Sequence, residues 1–281
     1  MAPPEIGERS VLQRVVRSAP MTLMLEDRVA VVSGVGPGLG RRIALAMARE
    51  GAAVVLGART GSYLEEVAAE IEATGGRVAS TPTDISDRDQ CRRLVDTAVE
   101  QFGRLDVLVN SAYRPDVFRP FEDVDLDAWR KIFDVNVFGT LQLTQEALPH
   151  LKAAGGGAIV FVSSMVVRKI VLNQGGYAAS KGALLTAAQV LASELGQHRI
   201  RVNSVMPGWM WGPPVQGYVT ATAKATGATP ESVYDGIAAD IPLGAIPTDE
   251  EVAEAVVFLA SDRARVITGQ CLNVNGGEVF T

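Results

Sequence analysis

A tyrosine and a lysine four residues apart are the side chains of this sequence best suited to move a proton. They form the motif Tyr177-x-x-x-Lys181. In a helix, side chains at i and i+4 lie on one face with their Cβ atoms about 5–6 Å apart. An ammonium beside a phenol favours the phenolate and lowers a phenol pKa that is ordinarily about 10. The motif alone also fits a solvated helix face, so the surrounding chain must decide between the two.

The elements that would position this pair alternate between short apolar runs and longer helical periods. Strands are predicted at Val29–Ser33, Ala53–Gly57, Arg77–Pro82, Leu105–Asn110, Ala158–Ser163, Arg201–Met206 and Cys271–Val274. Helices are predicted at about 38–50, 61–74, 87–102, 125–152, 177–197 and 249–260. Apolar strands separated by helices indicate a parallel sheet that is covered on both faces. The sequence therefore predicts an α/β fold, a doubly wound parallel seven-stranded sheet in a three-layer sandwich.

Local signals set the boundaries of these elements and of the domain. Thr248-x-x-Glu251 has the form of a capping box, and Ser86 is placed to cap the helix after it. The chain has no repeat of 20–50 residues and no Ser/Gly linker that would divide it. We therefore expect a single domain over residues 25–281, preceded by a poorly ordered extension at residues 1–24.

Composition excludes several classes of partner. The 281 residues are 47% hydrophobic and 21% charged with a net charge of −6, which argues against nucleic acid and anionic membranes. No apolar run is long enough to span a bilayer, and no signal peptide is evident at the amino terminus. Cys91 and Cys271 form no Cys-x-x-Cys or Cys/His cluster, so neither a metal site nor a disulfide framework is predicted. A cytoplasmic location fits these features.

A glycine-rich turn follows the first predicted strand. Residues Ser33–Gly40 read Ser-Gly-Val-Gly-Pro-Gly-Leu-Gly and lead into a helix. Glycines let backbone N–H groups approach a pyrophosphate at the positive end of a helix dipole. The spacing is Gly34-x-x-x-Gly38-x-Gly40 rather than Gly-x-Gly-x-x-Gly, and a helix-entry turn without ligand is the alternative. We interpret the turn as a dinucleotide site in a Rossmann-like sheet.

The end of the second predicted strand bears on the choice of dinucleotide. NAD sites usually place a carboxylate there for the ribose 2′-hydroxyl, whereas NADP sites place an arginine for the 2′-phosphate. Ala58 offers no carboxylate and Arg59 follows it, so NADP(H) is favoured and NAD(H) is the alternative. Asp84, after the third strand, is suited to accept a hydrogen bond from the adenine amino group.

These motifs together resemble the short-chain dehydrogenase/reductase family, in its short single-domain form, over roughly residues 25–281. The matching segments are Ser33–Gly40, Asn110-Ser111-Ala112, Asn136-Val137-Phe138-Gly139, Ser164, Tyr177-x-x-x-Lys181, Asn203-Ser204-Val205-x-Pro207-Gly208, Thr268-Gly269 and Val274-Asn275-Gly276-Gly277. Their order and spacing agree along the chain, which is more specific than any one motif.

The resemblance implies a role for each catalytic candidate. Tyr177 would be the general acid/base, and Lys181 would hold the nicotinamide ribose and lower the tyrosine pKa. Ser164, 13 residues before Tyr177, would bond the substrate oxygen, while Ser163 would only end the strand. Asn136 would hold a water linking Lys181 to solvent. The implied cofactor-binding residues are Gly34, Gly36, Gly38, Leu39, Gly40, Arg59, Asp84, Ile85, Asn110, Ser111, Ala112, Tyr177, Lys181, Pro207 and Gly208.

The chain departs from the family pattern near the expected substrate. Tyr113 replaces a common glycine, and Gly212 stands where many members have a threonine that contacts the carboxamide. The resemblance implies a substrate lid at about 209–247. The candidate substrate-pocket residues are Tyr113, Met165, Val166, Trp209 and Trp211. Their bulk and apolarity favour a lipophilic alcohol or ketone, although such residues are also common in cores.

The function predicted from the sequence is therefore an NAD(P)-dependent oxidoreductase that moves hydride between nicotinamide and a carbonyl or secondary alcohol. A dinucleotide-binding regulator of the same fold is one alternative, which the complete Ser/Tyr/Lys/Asn set disfavours. An enoyl reductase is another, disfavoured because those relatives have a longer gap between tyrosine and lysine. The resemblance also implies a homotetramer, built as a dimer of dimers through the long helices.

Overall fold

Seven strands form one parallel sheet in the computed structural model, which describes residues 23–280. They are β1 (Val29–Ser33), β2 (Ala53–Ala58), β3 (Arg77–Pro82), β4 (Val107–Asn110), β5 (Gly157–Val162), β6 (Ile200–Pro207) and β7 (Cys271–Val274). Their order across the sheet is β3-β2-β1-β4-β5-β6-β7. All seven predicted strands and the doubly wound α/β fold are confirmed. Of the extension predicted at residues 1–24, residues 1–22 lie outside the described part of the chain.

Side-chain alternation along the central strands builds a core on each face of the sheet. On β1, Ala30 and Val32 belong to one apolar cluster, whereas Val29 and Val31 belong to the other. Strands that bury both faces in this way must be covered by helices on both sides. The sheet is therefore the middle of three layers.

Nine helices are described within residues 23–280, and six of them cover the two faces of the sheet. They are α1 (Leu39–Arg49), α2 (Gly61–Ala73), α3 (Arg88–Phe102), α4 (Leu126–Phe133), α5 (Thr140–Ala153), α6 (Gly175–Leu195), α7 (Pro213–Thr226), α8 (Pro230–Ala238) and α9 (Asp249–Ala260). Helices α1, α2 and α9 bury side chains in the first cluster, and α3, α5 and α6 bury theirs in the second. None of the described helices is long and apolar enough to cross a membrane.

Two helix caps test the predicted boundaries. The capping box at the start of α9 is confirmed, because the Thr248 hydroxyl accepts from the Glu251 backbone N–H at 3.2 Å and Glu251 accepts from the Thr248 N–H at 2.7 Å. The prediction for Ser86 is wrong. Asp87 caps α3 by accepting from the Gln90 N–H at 3.1 Å, since a carboxylate in this position is an equally good acceptor.

The predicted helix 125–152 contains an irregularity that its sequence did not indicate. Between α4 and α5, residues Asp134–Gly139 form a π-helical turn, in which backbone hydrogen bonds span five residues. Such a turn inserts an extra residue into the helix and rotates the side chains that follow it. Asn136 lies in this turn, so its direction depends on the irregularity.

The segment predicted as a lid contains two helices that the sequence interpretation missed. Both α7 and α8 have proline in the first turn, where the missing N–H costs nothing. Thr229 caps α8 by accepting from the Ser232 N–H at 3.2 Å. These proline and threonine signals were present in the sequence and could have revealed both helices.

The order of the strands fixes where a ligand can bind. The connection from β1 runs to β2 on one side, whereas the connection from β4 runs to β5 on the other, so a crevice opens at the carboxyl ends of β1 and β4. The segments that follow Ser33, Asn110 and Val162 all meet at this edge of the sheet. These are the segments that carry the candidate site residues.

Candidate active site

The glycine-rich turn has the shape required to hold a pyrophosphate. Gly34 has a φ of +81°, and a Cβ there would lie 2.3 Å from the Ala112 backbone nitrogen, so a larger residue cannot fit. A Cβ on Gly36 would meet nothing within 4 Å, because this glycine faces a cavity. Helix α1 begins at the turn with no side-chain cap and no acidic residue in its first turn. Its free N–H groups and dipole therefore fit an anion.

Two adjoining cavities share this turn. The first, of about 350 Å³, is lined by Ser164, Tyr177 and Lys181, and the second, of about 710 Å³, is lined by Arg59 and Asp84. Both cavities are also lined by Gly34, Gly36, Pro37, Ser111, Tyr113, Pro115 and Asp116. A dinucleotide that placed its pyrophosphate at the shared turn would extend one half into each cavity.

Tyr177 and Lys181 lie side by side at the first cavity, as their spacing predicts. The Lys181 Nζ lies 5.7 Å from the centre of the Tyr177 ring and 5.9 Å from that of Tyr113. The two tyrosine rings meet edge to face with their centres 6.0 Å apart. Lys181 is buried and donates a hydrogen bond of 2.7 Å to the Val162 carbonyl oxygen. This bond fixes the ammonium at the carboxyl end of β5.

The protonation of the pair differs from the expectation. Burial raises the pKa of Tyr177 above its ordinary value, and the hydrogen bond from Ser164 only partly opposes this. Burial also lowers the pKa of Lys181 to about 8. The direction of the Tyr177 pKa shift is therefore opposite to the expected one, because burial of the phenol dominates. At neutral pH the pair is a phenol beside an ammonium.

The two serines after β5 differ in their surroundings, although both line the first cavity. Ser164 bonds the Tyr177 hydroxyl and also accepts weakly, at 3.5 Å, from the Val166 N–H. Ser163 is buried, and its hydroxyl has no hydrogen-bond partner among residues 23–280. Only Ser164 is therefore linked to the phenol.

Asn136 is fully buried and bonded on both sides of its amide. Its Oδ1 accepts from the Arg114 N–H at 2.6 Å, and its Nδ2 donates to the Arg114 carbonyl and to the Ser180 hydroxyl at 3.1 and 2.9 Å. The Ser180 hydroxyl donates in turn to the Tyr177 carbonyl at 2.7 Å. The Asn136 side chain therefore connects the loop after β4 to helix α6.

The second cavity contains the residues predicted for the adenosine. Hydrogen bonds from Ser86 lower the pKa of the Asp84 carboxyl, and the exposed Arg59, just after β2, lowers it further. Ile85 and Ala112 also line this cavity. Asn110 lines neither cavity; its amide donates to the Thr144 hydroxyl at 3.2 Å and ties β4 to α5.

Most of the predicted substrate-pocket residues line the first cavity. Met165, Val166 and Trp209 lie in its wall, and Tyr113 lies where it joins the second cavity. Trp211 does not line this cavity. Its ring meets that of Tyr234 edge to face at 4.8 Å, and both Trp209 and Trp211 pack against the apolar cluster of Ala238, Ile241 and Ile246.

Comparison with known proteins decides the family. A family model described as enoyl-(acyl carrier protein) reductase matches residues 34–278. A short-chain type dehydrogenase/reductase from Mycobacterium ulcerans superposes with a TM-score of 0.82 at 33% identity, covering 91% of each chain. This chain belongs to the short-chain dehydrogenase/reductase family. The description of the matching family model, enoyl-(acyl carrier protein) reductase, names one of the activities found among these oxidoreductases.

Relatives and solved structures of the family agree on the type of chemistry. The chain is 41% identical over 254 residues to an uncharacterized oxidoreductase of Methylorubrum extorquens, covering 90% of this chain and 98% of the relative. It is 37% identical over 251 residues to cis-4-hydroxycyclohexanecarboxylate dehydrogenase of Sinomonas cyclohexanicum, covering 89% and 96%. The chain is therefore an oxidoreductase of this family.

Solved structures show a nicotinamide dinucleotide in the family. Carveol dehydrogenase from Mycobacterium avium, in complex with NAD, has a TM-score of 0.86 at 29% identity and covers 92% and 99% of the two chains. L-sorbose reductase from Gluconobacter frateurii, in complex with NADPH and L-sorbose, has a TM-score of 0.88 at 28% identity and covers 93% and 100%. A nicotinamide cofactor is therefore supported without a choice between its two forms.

Two residues near the site of this short-chain dehydrogenase/reductase were missed in the sequence. The buried Asp116 carboxylate accepts from the Tyr177 N–H at 2.8 Å and from the Val117 N–H at 2.7 Å. The Trp129 ring packs on the start of α6, where a Cβ on Gly176 would approach it to 2.8 Å. No local pattern marks these contacts, since each joins segments far apart in sequence.

Proposed function

We propose that this protein interconverts a ketone and a secondary alcohol of a lipophilic small molecule, with NADP(H) preferred over NAD(H). The observation that carries the proposal is that Tyr177, Ser164 and Lys181 line the same cavity as the glycine-rich turn. A proton donor, an oxygen-binding hydroxyl and a dinucleotide site are the parts that hydride transfer to a carbonyl requires.

The proposed chemistry uses the protonation states found in the site. A bound nicotinamide would supply the hydride that reduces the carbonyl carbon. Ser164 donates a hydrogen bond to the carbonyl oxygen as it gains negative charge, and the neutral Tyr177 phenol delivers its proton to that oxygen. Lys181, with a pKa lowered to about 8, stays charged at neutral pH and stabilises the tyrosinate that forms. Asn136 holds α6 and the loop after β4 in place around this step.

The neutral phenol sets the direction that the free site favours. A pKa of Tyr177 above its ordinary value keeps the proton on the hydroxyl at physiological pH. Ketone reduction consumes that proton, whereas alcohol oxidation needs the phenolate. We therefore expect ketone reduction to dominate near neutral pH and alcohol oxidation to increase as pH rises.

The lining of the first cavity supports an apolar substrate. Beyond the catalytic candidates its wall contains mostly carbon-rich side chains, which are Pro115, Phe118, Met165, Val166, Val171, Trp209, Met210, Pro214 and Val215. Apolar walls with few polar groups are typical of sites for small lipophilic molecules. Two relatives named for alicyclic alcohols, cis-4-hydroxycyclohexanecarboxylate and carveol, support ring ketones and alcohols as the first compounds to test.

The preference for NADP(H) rests on Arg59. This exposed arginine lines the second cavity at the end of β2, with no carboxylate at position 58 to bind a ribose 2′-hydroxyl. The Arg59→Gln variant should lose at least about tenfold in affinity for NADPH, because a 2′-phosphate contact is charge-assisted, and should bind NADH unchanged. Fluorescence titration measures both constants; a wild type that prefers NADH contradicts this assignment.

Removal of one atom, the hydroxyl oxygen of Tyr177, tests the proposed role of this residue. Tyr177→Phe should lower kcat by at least about a thousandfold while dinucleotide affinity changes less than about threefold, because only the transferable proton is lost. Tyr218→Phe, a substitution of an exposed tyrosine on α7, is the matched control and should retain activity. Turnover unchanged in Tyr177→Phe would refute the proposal. Reduction of a conjugated C=C bond but not of ketones would instead indicate an enoyl reductase.

We also propose a homotetramer in a reducing compartment such as the cytoplasm. Phe138 and Val190, on the helical segments that include α5 and α6, are 58% and 51% exposed. Exposed apolar residues on long helices are typical of a subunit interface. Cys91 and Cys271 are both free thiols, as expected where disulfides are rare. Light scattering of the purified protein measures the assembly; a monomer contradicts it.

A further inference from the structure

Asp249 is a buried carboxylate in the wall of the first cavity that the proposed reaction has not used. It is the first residue of α9 and is 4% exposed. Its Oδ2 lies 3.4 Å from the position of a Cβ on Gly38 and 2.0 Å from that of a Cβ on Gly212. The carboxylate therefore occupies the space between the glycine-rich turn and the segment after β6.

The charge on Asp249 lacks a direct partner. Within residues 23–280 its side chain makes no hydrogen bond and no ion pair. Arg42 acts on it electrostatically, but the Arg42 guanidinium is bonded to Glu250 at 2.8 Å. The dipole of α9 favours a carboxylate at its first turn, while burial raises the Asp249 pKa. A buried carboxylate in this position is costly unless a cation faces it.

The two cavities indicate which part of a dinucleotide would face Asp249. Asp249 lines the first cavity with Tyr177, Ser164 and Lys181, and it does not line the second. The reacting ring must lie in the first cavity, because the proton donor is there. Of the two halves of the cofactor, only the nicotinamide half changes charge in the reaction. The oxidised ring is a cation, and the reduced ring is neutral.

We propose that Asp249 is the counter-charge of the oxidised nicotinamide and makes the site bind the oxidised cofactor more tightly than the reduced one. The inference rests on the proposed function and adds a residue to it. During ketone reduction the ring becomes positive as hydride leaves, so the same carboxylate lowers the barrier to hydride transfer. The cation already present in the cavity wall, Lys181, lies beside Tyr177, with its Nζ 5.7 Å from the centre of that ring.

The test compares the affinities of the two redox forms. Asp249→Asn keeps the shape and removes the charge, and Glu254→Gln, which removes an exposed charge further along α9, is the matched control. Dissociation constants for NADP⁺ and NADPH are measured by calorimetry on both variants and the wild type. We expect Asp249→Asn to weaken NADP⁺ relative to NADPH by about tenfold, the effect of one partly screened charge pair. Glu254→Gln should change the ratio by less than about twofold.

The outcomes separate this inference from its alternatives. An equal change in both affinities would mean that Asp249 acts on the pyrophosphate, which carries the same charge in both forms, and would overturn the inference. An unchanged ratio would mean that Asp249 only fills the space beside Gly212, and would also overturn it. Asp249→Ser repeats the measurement if the asparagine variant does not fold, and failure of both to fold assigns a structural role instead. Absence of any dinucleotide binding by the wild type would overturn the proposed function itself.

Discussion

Replacing Asp116 should weaken both the stability of the protein and the placement of Tyr177. The carboxylate accepts from the N–H of Tyr177, the third residue of α6, where a helix has no internal acceptor for that N–H. A hydrogen bond to a charged group contributes about 1.5–3 kcal/mol, and the helix dipole adds up to about 1 kcal/mol. The Val117 N–H is on an exposed residue and can bond water instead, so we expect Asp116→Ala to cost about 2–3 kcal/mol.

The thermal shift follows from the size of the chain. With an unfolding entropy of about 2.1 cal/mol/K per residue, 281 residues give about 0.6 kcal/mol/K, so Tm should fall by about 3–5 °C. Asp116→Asn keeps one oxygen and should lose about half as much. Because the displaced residue carries the proton donor, kcat should fall about tenfold or more in the alanine variant and recover in the asparagine variant.

Calorimetry and steady-state kinetics at one pH measure these two effects. Asp123→Ala, which removes an exposed carboxylate from the same connection, is the control and should match the wild type within about 0.5 kcal/mol. If Asp116→Ala behaved like this control, the hydrogen bond to Tyr177 would contribute nothing. If stability fell without any change in kcat, Asp116 would support the fold alone and would not position Tyr177.

Three further predictions test the neighbourhood of the pair. Burial lowers the Lys181 pKa from 10.5 to about 8, so the unfolded chain binds this proton more tightly and the free energy of unfolding should rise from pH 8 to pH 10.5. Denaturant titrations should show that the wild type gains up to about 3 kcal/mol over this range relative to Lys181→Met. If the free energies of unfolding of the two proteins changed with pH in parallel, the burial argument would be contradicted. Burial raises the Tyr177 pKa and the charge of Tyr113 adds to this, so Tyr113→Ala, which also uncovers the Tyr177 ring, should move the pH midpoint of alcohol oxidation downward by more than Tyr113→Phe does. Gly176→Ala should cost about 1–3 kcal/mol by overpacking against Trp129, and a cost that persists in a Trp129→Ala background would exclude that contact as the cause.

Features of the fold and site that depend on short stretches of sequence were predictable. The glycine-rich turn, the apolar strands and the i, i+4 pair each depend on residues within one or two turns of chain, and the sheet follows from their alternation. The lid helices α7 and α8 were also local, since Pro213, Pro230 and Thr229 mark their first turns. They were missed because the segment was interpreted only as a substrate lid, and no helices were assigned to it.

Features that depend on contacts between distant segments were not predictable. Asp116 meets the Tyr177 N–H across 61 residues, and Lys181 meets the Val162 carbonyl across 19. Spacing places phenol and ammonium together, but the Tyr177 pKa depends on how deeply the folded chain buries both. Trp209 and Trp211 are indistinguishable in sequence, yet Trp209 lines the first cavity and Trp211 packs against Tyr234.

The contact between Gly212 and Asp249 has a consequence for how this site can change in evolution. A side chain at position 212 would place its Cβ 2.0 Å from the Asp249 carboxylate, so the two cannot coexist in this arrangement. If a side chain were gained at position 212 first, the intermediate protein would contain a steric clash. If residue 249 were shortened first, the intermediate would contain an empty cavity. We expect descendants of a common ancestor to exchange the two positions together, which makes the pair a marker for subgroups that differ in how they hold the cofactor.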